Sequence, residues 1–172
     1  MIIVGSQAIL GSIPQGLPKR AIDSFEVDIL PFDDPDGSKA ERISGAIGEF
    51  SQFHETYGYY ADGVSLETCV FPSGWEDRLV QVSSEATNGM TGWCVDPHDL
   101  CIAKLVACRE KDLEYVRAVI KSGHVLPELL IERLGETELS DEKRKYLFAL
   151  ITSTRKSGRN SPMRRAIREF ES

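Results

Sequence analysis

Phe25-Glu26-Val27-Asp28-Ile29-Leu30 alternates apolar and acidic side chains with period two. In an extended chain successive side chains point to opposite faces, so Glu26 and Asp28 share one face and Val27 and Ile29 the other. This is strand patterning, and it carries two acids on one side. Upstream, Ile2-Ile3-Val4 is a short apolar run stopped by Gly5-Ser6, which reads as a buried strand. A helix opens near Ser6 and is broken by Gly11, Pro14, Gly16 and Pro18.

Downstream, Asp33-Asp34-Pro35-Asp36-Gly37 is turn chemistry. Ser38 and Glu41 have capping-box spacing and predict a helix to about Phe53, weakened by Gly45 and Gly48. Residues 57–62 read as an aromatic bend. Residues 64–71 are β-rich and predict a further strand, followed by short ones at 79–82 and 93–95. Asp96-Pro97 starts a helix, with Asp as cap and Pro in the first turn. Helices are then expected to about Arg109, through Lys121 to Gly123, and over 127–134, 140–154 and 162–171. Strands in the first half and helices in the second predict an α+β protein with a mixed sheet. The division is a sheet core over 1–95 and a helical part over 96–172, with a basic tail at 155–172.

The 172 residues are 41% hydrophobic and 27% charged, which is ordinary globular composition. The net charge of −7 makes the chain a poor general polyanion binder. Nucleic-acid contact is therefore expected to be local, and the tail offers the place: Arg155, Lys156, Arg159, Arg164, Arg165 and Arg168 come without an acidic residue among them. The four cysteines include no CxxC pair, which argues against a zinc ribbon or thioredoxin chemistry; they read as small buried hydrophobes in a reducing compartment. No signal peptide and no membrane-length apolar run is visible, so a soluble, cytoplasmic protein without membrane contact is expected.

Three features bear on chemistry. Two carboxylates two apart on a strand repel each other unless something positive lies between, and a divalent metal is one such partner; an exposed edge strand is the other reading. Gly5-Ser6 after a strand offers backbone N–H groups and a hydroxyl to phosphate oxygens, or serves merely as a turn. Lys104 falls within an otherwise apolar helix, where a lysine must snorkel out or meet an anion. Lys111 lies seven residues on, at the same helical angle, and the run Arg109-Glu110-Lys111-Asp112 also reads as a solvated charged stretch. His54 sits between Phe53 and Glu55, and either contacts a base or packs. His98, Trp75 and Arg78 read as structural anchors. Asp33, Asp34 and Asp36 lack the glutamate that an EF-hand calcium loop needs at its end.

The string Ile3-Val4-Gly5-Ser6-Gln7-Ala8-Ile9-Leu10-Gly11, followed by Glu26-Val27-Asp28-Ile29, resembles the nucleotidyltransferase signature of apolar strand, Gly-Ser, and acid-x-acid on the next strand. Further stretches carry the same resemblance: Gly45-Ala46-Ile47-Gly48-Glu49, Phe53-His54-Glu55-Thr56-Tyr57-Gly58, Pro72-Ser73-Gly74-Trp75-Glu76-Asp77-Arg78-Leu79, and Pro97-His98-Asp99-Leu100 with Ala103-Lys104-Leu105. Together they resemble uncharacterised bacterial nucleotidyltransferases close to the AbiEii-type toxins, over residues 2–125. The resemblance implies a polymerase beta-like core and an enzyme that moves an NMP group from an NTP, with Mg2+ as cofactor. It implies that Gly5 and Ser6 hold phosphates, that Glu26 and Asp28 ligate the metal, and that Lys104 contacts the triphosphate. A third carboxylate on a neighbouring strand would be Glu67, with Asp62 behind it. The implied acceptor is RNA, including a tRNA 3′ end, or a protein side chain, and a toxin role with a cognate antitoxin protein follows the same way. Two features depart from the signature: the long Pro- and Gly-rich gap between Ser6 and Glu26, and Glu in place of Asp at the first acidic position. They leave a second reading open, an inactive nucleotidyltransferase-like module that binds a nucleotide or a partner.

Overall fold

The computed structural model describes residues 1–158, the side chains of 86 and 155–158 excepted. The basic side chains of the tail and the helix expected over 162–171 lie outside the described residues.

Five short strands form one mixed sheet in the order β3-β2-β1-β5-β4. They are β1 (Ile2–Ile3), β2 (Glu26–Leu30), β3 (Tyr60–Gly63), β4 (Val80–Val82) and β5 (Gly92–Cys94). The central β1 runs antiparallel to β2 and parallel to β5. The pair β2 and β3 is parallel, while β4 and β5 are antiparallel. Helices α1 (Lys19–Ile22), α2 (Ser38–Ile47) and α3 (Gln52–Tyr57) fall between the early strands. Then α4 (Pro97–Ala107), α5 (Glu110–Lys121), α6 (Pro127–Gly135) and α7 (Asp141–Gly158) follow the sheet. The fold is α+β, as the strand and helix patterning predicts. The main core joins Ile2 and Val4 of the central strand region to Ile9, Leu100, Leu105, Val119, Leu130 and Leu147. Among the described residues no helix is long and apolar enough to cross a membrane.

Several local expectations give way to tertiary structure. Ser38 is not a cap, because Gly37 precedes the helix in a left-handed turn. The cap comes from the turn acids instead: Asp34 accepts from the backbone N–H groups of Lys39 and Ala40 at 2.8 and 2.9 Å, and Asp36 accepts from Ser38 at 3.1 Å. The helix expected to reach Phe53 stops at Gly48, and Ser51 caps a separate α3 by accepting from the His54 N–H at 3.2 Å. The aromatic stretch read as a bend contains strand β3, while the β-rich stretch 64–71 is no strand: it holds only a 3₁₀ turn over Leu66–Thr68. The Asp96 cap forms as expected, accepting from His98 and Asp99 N–H groups. Cys108 then turns left-handed and separates α4 from α5, so Lys104 and Lys111 stand on different helices. All four cysteines are free, and burial pushes the Cys101 thiol up to about 12, which leaves it an inert core residue.

Candidate active site

The strand register decides which acids meet. Glu26 and Asp28 lie two apart on β2 and face the same way. In the neighbouring parallel strand, Asp62 is the register partner of Asp28. The backbone is shaped to admit two of these carboxylates. A Cβ on Gly5 would fall 1.6 Å from Asp28 Oδ2, so only glycine fits at the end of β1. A Cβ on Gly48 would fall 2.6 Å from Asp62 Oδ1.

Opposite the acids stand the first turns of α5 and the last turns of α4. Asp112 is 1% exposed and gathers two cations: Lys104 Nζ lies 3.1 Å from its Oδ1 and Arg109 Nε 2.5 Å from its Oδ2. Burial alone would raise the Asp112 carboxyl, but the Arg109 hydrogen bond and the Lys104 charge overcome it and hold it below the usual carboxylate range. The Lys104 ammonium also sits over the Tyr115 ring, 4.6 Å from its centroid. The Tyr115 hydroxyl donates to the Ser6 carbonyl at 3.2 Å and so ties α5 to the Gly-Ser turn.

Between these walls lies a cleft of about 300 Å³, with Ser6, Ser24, Glu26, Asp28, Arg20 and Lys111 around it. A second cleft of about 270 Å³ adjoins it and shares Asp28, Lys104 and Arg109. Burial, then the charge of Asp28, raises the Glu26 carboxyl, while Lys111 works against the shift. Asp28 is likewise raised, by burial first; Lys104 opposes this and Asp62 adds to it. Burial of these carboxylates is thus only partly offset by the lysines and arginine.

The structure brings Gly5, Ser6, Glu26, Asp28, Lys104 and Lys111 to these two clefts. Neither Glu67 nor Asp62 lines a cleft; Glu67 is exposed on the Leu66–Thr68 turn, whereas Asp62 is half-buried beside Asp28. The reason is the missing strand: with 64–71 outside the sheet, the neighbouring-strand acid is Asp62 on β3. His54 also lines neither cleft. Its Nδ1 accepts from the Phe50 N–H at 3.1 Å, and its ring packs 4.6 Å from that of Tyr60. Sequence reading does not single out Arg20, Asp112 or Tyr115. Asp112 belongs to the apparently solvated charged run, and nothing in the spacing announces that the α4–α5 break turns it inward.

Away from the clefts, Asp99 is fully buried and ion-pairs with Arg78 at 2.7 Å and Arg133 at 3.4 Å. Trp75 stacks on Phe71 at 4.6 Å, and His98 Nε2 accepts from the Leu126 N–H at 3.1 Å. These residues anchor the fold.

A match to a family model spans residues 1–153, and the chain belongs to that family, described as "Nucleotidyltransferase of unknown function (DUF6036)". Neither a curated protein nor a solved structure matches the chain.

Proposed function

We propose that the chain is a magnesium-dependent nucleotidyltransferase that moves a nucleoside monophosphate from an NTP to an acceptor hydroxyl on RNA or protein. The observation that supports this is the pairing of two walls: Glu26 and Asp28 on one strand face, and Lys104, Arg109 and Lys111 across the cleft from them. Phosphoryl chemistry is mostly positioning and charge stabilisation, and it uses both kinds of wall.

The donor set suits magnesium. Carboxylate oxygens are hard ligands, and both acids are raised by burial, Glu26 further by the charge of its neighbour Asp28, so a cation between them is favoured. Among the described residues no three His, Cys, Asp or Glu side chains are placed to hold a metal by themselves. Magnesium is held by one or two carboxylates together with substrate phosphates and waters. When bound, the ion neutralises phosphate charge and orients the reacting groups.

The chain's own residues do the rest. The Ser6 hydroxyl and the Lys111, Arg109 and Arg20 side chains receive the triphosphate oxygens. Asp112 holds Lys104 and Arg109 in position, which lowers the ordering cost of binding. The acceptor hydroxyl attacks the α-phosphorus in line, a new P–O bond forms, and the bond to the β-phosphate breaks. Asp62 takes the hydroxyl proton, and pyrophosphate leaves with its charge met by the cationic wall. The AbiEii-type relationship, a toxin role and an antitoxin partner are a further part of this proposal.

The test is transfer of label from each α-labelled NTP, with magnesium, into total RNA and cell protein. Label in one polymer fraction that disappears in the Glu26→Gln/Asp28→Asn double variant is expected and names the acceptor class. Transfer that persists in the double variant overturns the assignment. NTP binding without transfer to any fraction favours the binding module, which the Glu at position 26 also suits.

A further inference from the structure

The second cleft differs in chemistry from the first while sharing its floor. Its walls are Val4, Val64, Cys69, Leu100, Ala103 and Ala107, with Gly5 and Thr68, and it meets the charged cleft at Asp28, Lys104 and Arg109. The first cleft sets Arg20, Lys104, Arg109 and Lys111 against Asp23, Glu26, Asp28 and Asp112, with Ser6 beside them, and Arg20 also pairs with Glu114 outside it. One suits a strongly solvated polyanion; the other suits a flat, weakly polar body set between aliphatic walls.

A nucleoside triphosphate is a molecule of that kind. One end carries the β- and γ-phosphates, the other a base, and the α-phosphate joins them. We infer that this chain seats the NTP across both clefts, with the β- and γ-phosphates among Arg20, Lys111 and Ser6, the α-phosphate at Asp28, and the nucleobase in the aliphatic cleft between Ala103, Leu100, Val64 and Cys69. The inference rests on the nucleotidyltransferase reading and assigns the donor's base a place that the reading alone leaves open. The reacting phosphorus then falls where the clefts meet, beside the carboxylates, and the acceptor must approach from outside both. The aliphatic cleft carries few polar groups. The Thr68 hydroxyl donates to the Ser65 carbonyl at 2.7 Å and also contacts the Cys69 sulfur at 3.7 Å, so it has no proton to offer a base edge. Weak discrimination among the four bases follows, since apolar walls grip a π-face without reading its edges.

Cys69 supplies a reporter within the cleft. It is free and half-buried, and burial raises its thiol, so alkylation is slow and sensitive to what covers it. The experiment uses the full chain with magnesium and compares two ligands, inorganic tripolyphosphate and each NTP. Affinity is read by calorimetry, and maleimide modification of Cys69 by peptide mass mapping. The expected result is that an NTP binds about tenfold or more tightly than tripolyphosphate, a difference of about 1.4 kcal/mol or more. NTP, but not tripolyphosphate, slows Cys69 modification. Ala103→Phe, which fills the cleft, brings NTP affinity down to that of tripolyphosphate and leaves tripolyphosphate binding unchanged. Because modification is read on the unaltered chain, a misfolded Ala103→Phe leaves the test intact. Equal affinity for the two ligands, with Cys69 unprotected by either, overturns the base assignment while the phosphate site stands. Protection of Cys69 by an acceptor polymer and not by an NTP also overturns it. If neither ligand binds, the nucleotidyltransferase reading falls and the inference falls with it.

Discussion

Asp62 and Glu67 are five residues apart, yet the fold gives them opposite surroundings. Asp62 is the register partner of Asp28 on the adjacent strand, and its carboxylate lies against Gly48. Glu67 is exposed on a turn. General-base help from a positioned side chain is worth roughly 10²–10⁴-fold in rate. Asp62→Asn is therefore expected to lower the transfer rate by about 10²-fold or more, with NTP affinity little changed. Glu67→Gln should leave the rate within about twofold, as for a surface substitution far from such features. Steady-state kinetics on both variants checks this, and the reverse ranking would return the third-carboxylate role to Glu67. The residues on β2 were legible because a period of two leaves no doubt about which side chains share a face. Asp62 stood second to Glu67, because Tyr57, Tyr59 and Tyr60 beside a glycine look like a bend, and because Val64, Val70 and Phe71 have a stronger β-preference than the strand that forms. That preference is decided by pairing and burial, and 64–71 finds no strand to pair with.

At the level of elements, caps and breaks were the hardest features to read. The Asp96-Pro97 start was legible, since its cap is local: the same residue supplies the oxygen that the first turn needs. The start of α2 also takes its oxygens from nearby acids, but from Asp34 and Asp36 across a left-handed Gly37 rather than from Ser38. The joint between α4 and α5 matters most for the site, since Cys108 in a left-handed conformation directs Lys104 and Asp112 toward each other. The helices are held in turn by Asp99. Its two oxygens take Arg78 from the turn before β4, and Arg133 of α6 pairs with it from the other side. Removing the charge from a fully buried carboxylate leaves Arg78 with the Ser73 carbonyl and Arg133 with Glu136, and breaking such a buried pair typically costs about 3–5 kcal/mol. Asp99→Asn is expected to lower the unfolding free energy by about 3 kcal/mol. Urea denaturation measures it; an unchanged midpoint would mean that the two arginines find water or other acceptors without loss. The substitution lies outside the clefts, so the fraction that stays folded should keep its NTP affinity.

For the whole molecule, the site works against the stability of the fold that carries it. Burial raises Glu26 and Asp28, and their neighbouring acids add to the shift, so the folded chain binds protons at these positions more tightly than the unfolded chain does. Above the raised range both carboxyls are ionised in either state and the full repulsion is present. As pH falls through that range toward the ordinary carboxylate range, the folded state takes up protons first, and this pair's contribution to stability rises; below the ordinary range it levels off. Transfer activity runs the other way, because protonated carboxyls neither hold a cation nor complement the phosphates. Neutralising both acids should therefore stabilise the protein while abolishing its chemistry, the trade-off expected where a site stores unfavourable charge. The Glu26→Gln/Asp28→Asn variant is expected to melt above the unaltered chain at neutral pH without magnesium. Magnesium at about ten times its dissociation constant contributes about 1.4 kcal/mol to the unaltered chain, or about 3–5 °C at this size. The same addition should shift neither the double variant nor the unaltered chain at a pH low enough to protonate both acids. Differential scanning fluorimetry across a pH series measures all of this on one plate. A double variant that keeps its magnesium shift would mean that the two acids are not the cation site, and one that melts lower would mean that the ionised pair makes contacts with Lys104, Arg109 and Lys111 that outweigh its burial.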